Sequence, residues 1–288
     1  MVEPFGNVLE FEKFDMKNLV YDDEGSYINP RIGIIAKSGS GKSWVIREIL
    51  YYLYKTRIPC GTCIAPTDKM TKFYNDFMPP IFIHHEYKED IIPKVLHRQR
   101  KMIEKNENRT KKGDKVLDPR CYLVMDDCMS SKHLWLKDPH VLSIFNEGRH
   151  FQLTFVLAMQ YSLGIQPELR SNFDFIFLLG EDNYSNRKRL YEHYAGIFPT
   201  REIFETVFSE LTNNYGCMVI NNRLRSNDLK KKIFYFRANK TPDFKMGIPK
   251  SIKFDKSNFD PLHEKRHNAF DLTSTMFRRR TNIKVKMA

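Results

Sequence analysis

An apolar stretch runs into a glycine- and serine-rich turn over Ile32-Gly-Ile-Ile-Ala-Lys-Ser-Gly-Ser-Gly-Lys-Ser43. Glycines in such a turn let successive backbone N–H groups converge on one anion, and a helix beginning near Trp44 adds positive potential there. The pattern is a phosphate-binding loop. Ala36, Lys37, Ser38, Gly39, Ser40 and Gly41 form the cradle, Lys42 is suited to the β- and γ-phosphates of a nucleotide, and Ser43 to a magnesium ion.

A second apolar run, Cys121-Tyr-Leu-Val-Met-Asp126-Asp127, ends in two carboxylates. Downstream of a phosphate loop, Asp126 is the candidate magnesium ligand, acting through water. Asp127 is the candidate general base for an attacking water. A third run, Thr154-Phe-Val-Leu-Ala-Met-Gln160, ends in an uncharged polar group. If its strand lies between the other two, Gln160 faces the γ-phosphate and can bond both phosphate and water.

Two arginines could act across a subunit interface on the transferring phosphoryl group. Arg149 ends the helix feeding the strand of Gln160 and is the favoured one. Arg170 stands near Asp174 and could instead brace its own subunit. Each could equally be an ordinary surface or capping residue. His150 has no carboxylate or cysteine neighbour in sequence, which favours packing or loop anchoring.

The elements that must position these groups alternate short apolar runs with longer amphipathic ones, the pattern of a parallel α/β sheet. Strands are predicted over 31–35, 61–65, 121–125, 153–159 and 173–179, and helices over 43–55, 93–107, 141–150 and 183–195. A hairpin of strands 217–220 and 233–236 is predicted around the polar segment 221–232. Residues 106–115 read as an exposed loop. The chain divides into an arm (1–28), an ATPase domain (29–240) and a basic extension (241–288) that ends in Arg278-Arg279-Arg280, Lys284 and Lys286.

Composition limits the alternatives. In 288 residues, 47 Lys+Arg against 35 Asp+Glu leave a formal charge of +12, which favours a polyanionic partner, nucleic acid first. The longest apolar runs, 155–159 and 175–179, are far below the roughly 18 residues of a membrane span. The first residues do not read as a secretory signal. Five cysteines include one CxxC, Cys60 to Cys63; a structural zinc needs four ligands, so metal is disfavoured there and a reducing compartment favoured.

Together the Ser-Gly-Ser-Gly-Lys-Ser loop, the Asp-Asp strand end, Gly148-Arg149-His150 and the strand-end Gln160, in that order, resemble the genome-packaging ATPases of large double-stranded DNA viruses. These are the poxvirus and giant-virus branch of the FtsK/HerA superfamily. The resemblance spans residues 30–179, with Ala36 in place of a common Gly and Asp127 where many relatives have Glu. It implies an additional-strand, RecA-like P-loop fold: α/β, mostly parallel, with helices on both faces. It implies a pentameric or hexameric ring hydrolysing ATP with Mg2+ to move double-stranded DNA, largely regardless of sequence, into a capsid. Capsid or vertex components would be partners, and the host cytoplasm and virion the locations.

The alternatives are a P-loop nucleoside or nucleotide kinase and a DNA-binding assembly factor that uses ATP only as a structural ligand. A GTPase is disfavoured, because in Asn239-Lys240-Thr-Pro-Asp243 the Asp stands one residue too far for guanine reading.

Overall fold

The computed structural model describes residues 9–161 and 164–262. One eight-stranded sheet in the order β3-β2-β4-β5-β1-β6-β7-β8 organises the chain. Its strands are β1 (Arg31–Ile35), β2 (Cys60–Ile64), β3 (Ile83–His84), β4 (Cys121–Asp126), β5 (Leu153–Met159), β6 (Phe175–Leu179), β7 (Gly216–Asn221) and β8 (Ile233–Arg237). The first six run parallel; β7 is antiparallel to both β6 and β8, so β8 shares the direction of the first six. β5 lies between β1 and β4, pairing Ile35 with Met159 and Asp126 with Ala158. The parallel core therefore delivers the phosphate loop, the paired acids and Gln160 to one end of the sheet.

The strands are continuously apolar because both sheet faces are covered. Alternate side chains supply two cores. Phe155, Leu157 and Met159 face one, and Val156 and Ala158 the other. Helix α1 (Lys42–Lys55) covers the second face through Val45, Ile46, Ile49, Leu50 and Leu53. The first face takes α2 (Ile91–Lys111), α3 (Pro139–Glu147), α4 (Tyr184–Tyr194) and α5 (Arg201–Leu211). Asp138, Asn183 and Thr200 cap α3, α4 and α5 through their side chains, each worth about 1 kcal/mol.

The exposed loop expected at 106–115 is a helix for more than half its length, since α2 continues to Lys111. No Gly or Pro interrupts it between Pro93 in its first turn and Gly113, which turns the chain at φ 74°. Its last turns are polar all round, so they carry no apolar period to read. Asn106 then holds the return by bonding both the N–H and the C=O of Leu117, at 2.9 and 2.7 Å.

The predicted hairpin is present as β7 and β8, with a short helix (Leu229–Lys232) before β8. The described part of the arm packs inward: Phe14, Met16, Leu19 and Val20 are buried beside α1. The Phe14 N–H donates to the Tyr235 carbonyl at 2.8 Å, and the Tyr235 N–H to the Glu12 carbonyl at 3.0 Å. Beyond 240, Phe244 and Met246 enter the same core. The basic run Arg278, Arg279, Arg280, Lys284 and Lys286 lies outside the described residues. Cys60 and Cys63 stand three apart on a strand, so their thiols leave on opposite faces and cannot share an ion. No helix among the described residues is long and apolar enough to cross a membrane.

Candidate active site

The loop after β1 is built by backbone geometry. Ala36 is buried and donates its N–H to the Met159 carbonyl at 3.0 Å, so an alanine fits where glycine is common. Gly39 and Gly41 sit at φ 79° and 99°, the left-handed region that glycine occupies without cost. The Ser40 hydroxyl closes the turn on the Lys37 carbonyl at 2.7 Å, and Lys37 pairs with Asp182. Gly41 caps α1 with no side-chain partner for the first-turn N–H groups, leaving them to an anion.

Lys42 is 9% exposed, its ammonium 2.9 Å from Asp126 Oδ1 and paired with Asp127. A buried carboxylate beside a half-buried one needs a cation, and the Lys42 ammonium reaches both. Asp127 follows β4 at φ 53°, ψ 31°, a strained conformation of the kind that collects at functional sites. Gln160, one residue past β5, donates from Nε2 to Asp127 Oδ1 at 3.2 Å. Lys42, Asp126, Asp127 and Gln160 thus meet in one cluster above β4, β5 and β1.

A residue with no sequence signal joins them. The buried Tyr74 phenol donates to Asp126 Oδ2 at 2.9 Å, and its backbone N–H donates to Asp68 Oδ1 at 3.0 Å. Asp68 is itself buried, with His85 Nε2 3.7 Å from its other oxygen. Burial pushes the Asp126 carboxyl above the ordinary carboxylate range. The Asp127 charge adds to this, while Lys42 and the Tyr74 hydrogen bond oppose it. Burial likewise pushes the Tyr74 phenol well up, so it stays a donor.

Magnesium fits this donor set. Asp126 Oδ1 is buried and makes no hydrogen bond of good geometry, which suits a water of a hydrated magnesium ion. Ser43 sits half-buried on the first turn of α1. No group of three His, Cys, Asp or Glu placed to hold a metal ion exists among the described residues, and magnesium is held by one or two carboxylates plus substrate phosphates rather than by a protein cage.

The two arginines are not brought to this cluster. Arg149 lies in the turn after α3 and pairs with Asp174, which also binds Arg31 through Nε at 3.3 Å and backbone N–H at 2.8 Å. The pairing expected of Arg170 therefore belongs to Arg149, at the opposite end of β1. Arg170 is buried, gives Nε and Nη2 to the Ile165 carbonyl at 3.0 and 2.8 Å, and lies over the Tyr194 ring. His150 is exposed, its N–H on the Glu147 carbonyl. Asn239 clamps its segment to α1, donating N–H and Nδ2 to Glu48 at 2.6 and 3.3 Å. That contact gives Asn239 a structural role.

A phosphate loop on β1, separated by one strand from the strand carrying paired acids, defines an additional-strand P-loop protein. Within that class, the chain belongs to the family described as poxvirus A32 protein, whose model matches residues 12–190. It is 42% identical over 262 residues to an uncharacterized protein of Acanthamoeba polyphaga mimivirus, covering 91% of this chain and 86% of the relative. An uncharacterized protein of Invertebrate iridescent virus 3 is 34% identical, with 77% and 82% covered. The genome packaging NTPase B204 from Sulfolobus turreted icosahedral virus 2, solved with sulfate, shares the fold. Its TM-score is 0.52 at 14% identity, over 75% of this chain and 100% of that one. EssC from Geobacillus thermodenitrificans shares it at TM-score 0.51 and 13% identity, over 80% and 43%.

Proposed function

We propose that this chain is an ATP-hydrolysing motor that translocates viral double-stranded DNA into the capsid. The observation that carries the reading is the cluster of Lys42, Asp126, Asp127 and Gln160 over an uncapped phosphate loop. Membership of the A32 family and the fold shared with a packaging NTPase support it. The segments 1–28 and 241–288 flank the motor domain 29–240, their described parts packed against it.

In this mechanism the first-turn N–H groups of α1 and the Lys42 ammonium hold the phosphates. Bound through Asp126 and Ser43, Mg2+ would neutralise charge on the β- and γ-phosphates. Asp127 takes the proton of the water whose oxygen attacks the γ-phosphorus, and the bond to the bridging oxygen breaks to release ADP. Gln160, bonded to Asp127, links the state of the site to β5. Arg149 is the trans candidate over Arg170: 56% of its side chain is exposed, against full engagement of the buried Arg170.

A ring of five or six copies would surround the DNA, with capsid or vertex components as partners, at the assembly site in the host cytoplasm and in the virion. The +12 charge suits a grip on phosphates, so binding should weaken steeply with salt. The test is ATP turnover against DNA concentration, with the oligomer mass measured in parallel. DNA-stimulated release of phosphate supports the motor. Phosphate transfer to a nucleoside or nucleotide would establish the kinase reading, and binding without turnover the structural-ligand reading.

A further inference from the structure

Tyr215 stands at the mouth of the phosphate loop without a role in the chemistry above. A Cβ built on Gly41 would lie 3.6 Å from both Cβ and Cδ1 of Tyr215 and 4.0 Å from Leu179. The ring is nevertheless 70% exposed, although β7, which it precedes, is wholly buried. An aromatic side chain set beside a phosphate loop with most of its surface in water is placed for a ligand rather than for a core.

Its backbone is held there against preference. Asn214 (φ 49°, ψ 52°) and Tyr215 (φ 61°) are consecutive left-handed residues. A bulky side chain at positive φ is an outlier, and each such residue is unfavourable. The flanking backbone is closely packed and tethered. A Cβ on Gly216 would come 2.3 Å from the Leu211 carbonyl oxygen, and Arg237 holds the Asn213 carbonyl through Nη2 at 3.3 Å.

Direction along the sheet supplies the ligand. Asp127 and Gln160 end β4 and β5, on one side of β1, so the scissile end of a nucleotide must face that side. The sugar and base then leave the loop in the other direction, past Gly41 toward β6 and β7, where Tyr215 presents its ring. We infer that Tyr215 is the platform on which the base of the bound nucleotide stacks. The inference rests on the ATP-hydrolysing reading and adds the residue that holds the base. Stacking on an aromatic side chain is sequence-tolerant among bases and energetically substantial.

The experiment compares Mg2+-ATP with Mg2+-tripolyphosphate, which has the phosphates and no base, on the full chain. Tyr215→Ala should weaken ATP roughly tenfold or more and leave tripolyphosphate unchanged, while Tyr215→Trp keeps both. Tyr215→Gly separates binding from folding. It relieves the positive φ, so it should raise Tm while weakening ATP as the alanine does. Equal losses for ATP and tripolyphosphate would overturn the inference by making Tyr215 a support of the loop, as would ATP affinity untouched by any of the three variants. If the wild-type chain bound neither probe, the nucleotide reading itself would fail, an outcome distinct from both.

Discussion

Gln160 Nε2 lies 3.2 Å from Asp127 Oδ1, joining the tip of the inserted strand to the second acid of its neighbour. The bond puts an uncharged donor on the candidate base, so it orients the carboxylate without adding charge. Asp127→Asn should therefore bind ATP and magnesium while kcat falls about 10²–10⁴-fold, the usual contribution of a general base. Single-turnover phosphate release measures it. A kcat near wild type would move water activation to another group.

Lys42→Ala should lose nucleotide binding and stability together. The substitution strands two carboxylates without their cation, and breaking such a buried pair typically costs about 3–5 kcal/mol. Adding Asp127→Asn should recover part of the loss. A denaturant double-mutant cycle reads the coupling; purely additive effects would mean that the ion pair contributes nothing.

Burial raises the folded-state pKa of Asp126, so its charged form opposes folding. That cost is absent at acid pH and enters as pH rises through the folded-state value. Asp126→Asn should therefore raise Tm at neutral pH, with the gain shrinking as pH falls toward the carboxylate range. In a chain of this size each kcal/mol relieved is worth about 2–4 °C. The same variant should need more magnesium for turnover. A Tm gap independent of pH would contradict the assignment.

Tyr74→Phe keeps the ring among Phe73 and Phe77 and removes only the donor to Asp126. A hydrogen bond to a charged acceptor is worth about 1.5–3 kcal/mol. Turnover should require a higher magnesium concentration while ATP saturates as before. A lower Tm with an unmoved magnesium titration would confine Tyr74 to packing.

Arg149→Ala leaves Asp174 its bonds from Arg31, so the fold should survive. If Arg149 acts in trans, the variant should bind ATP but turn over about 10³–10⁵-fold more slowly. Mixing it with Asp127→Asn subunits should restore hydrolysis, because some interfaces then join an intact Asp127 to an intact Arg149. Exchange must first be verified by mass. No recovery in verified mixed rings would leave Arg149 as a brace for Asp174.

The sequence shows most where the backbone alone carries the information. The runs at 31–35 and 153–159 coincide with β1 and β5, because a strand covered on both faces is apolar throughout. The phosphate loop is legible for a similar reason: glycines at fixed offsets state the dihedrals the turn requires. Tyr74 was invisible, since 52 residues separate it from Asp126 and only the crossover after β2 brings it back. The partners of Lys42 and Arg149 are hidden in the sequence on the same grounds. Both pairs depend on which strand ends become neighbours, and residue type does not record that. The end of α2 was missed because a helix in water on every side displays no period.

The contact of residues 12–14 with Tyr235 also orders events in time. The arm is synthesised before every strand of the sheet, and β8, its hydrogen-bonding partner, is the last of those strands. During translation Phe14, Met16, Leu19 and Val20 can reach α1 early, but the backbone seam waits until Tyr235 has emerged. Long-range closures of this kind slow folding and leave apolar surface open to aggregation meanwhile. A nascent chain stalled before β8 should consequently expose the arm to proteases that the finished protein resists.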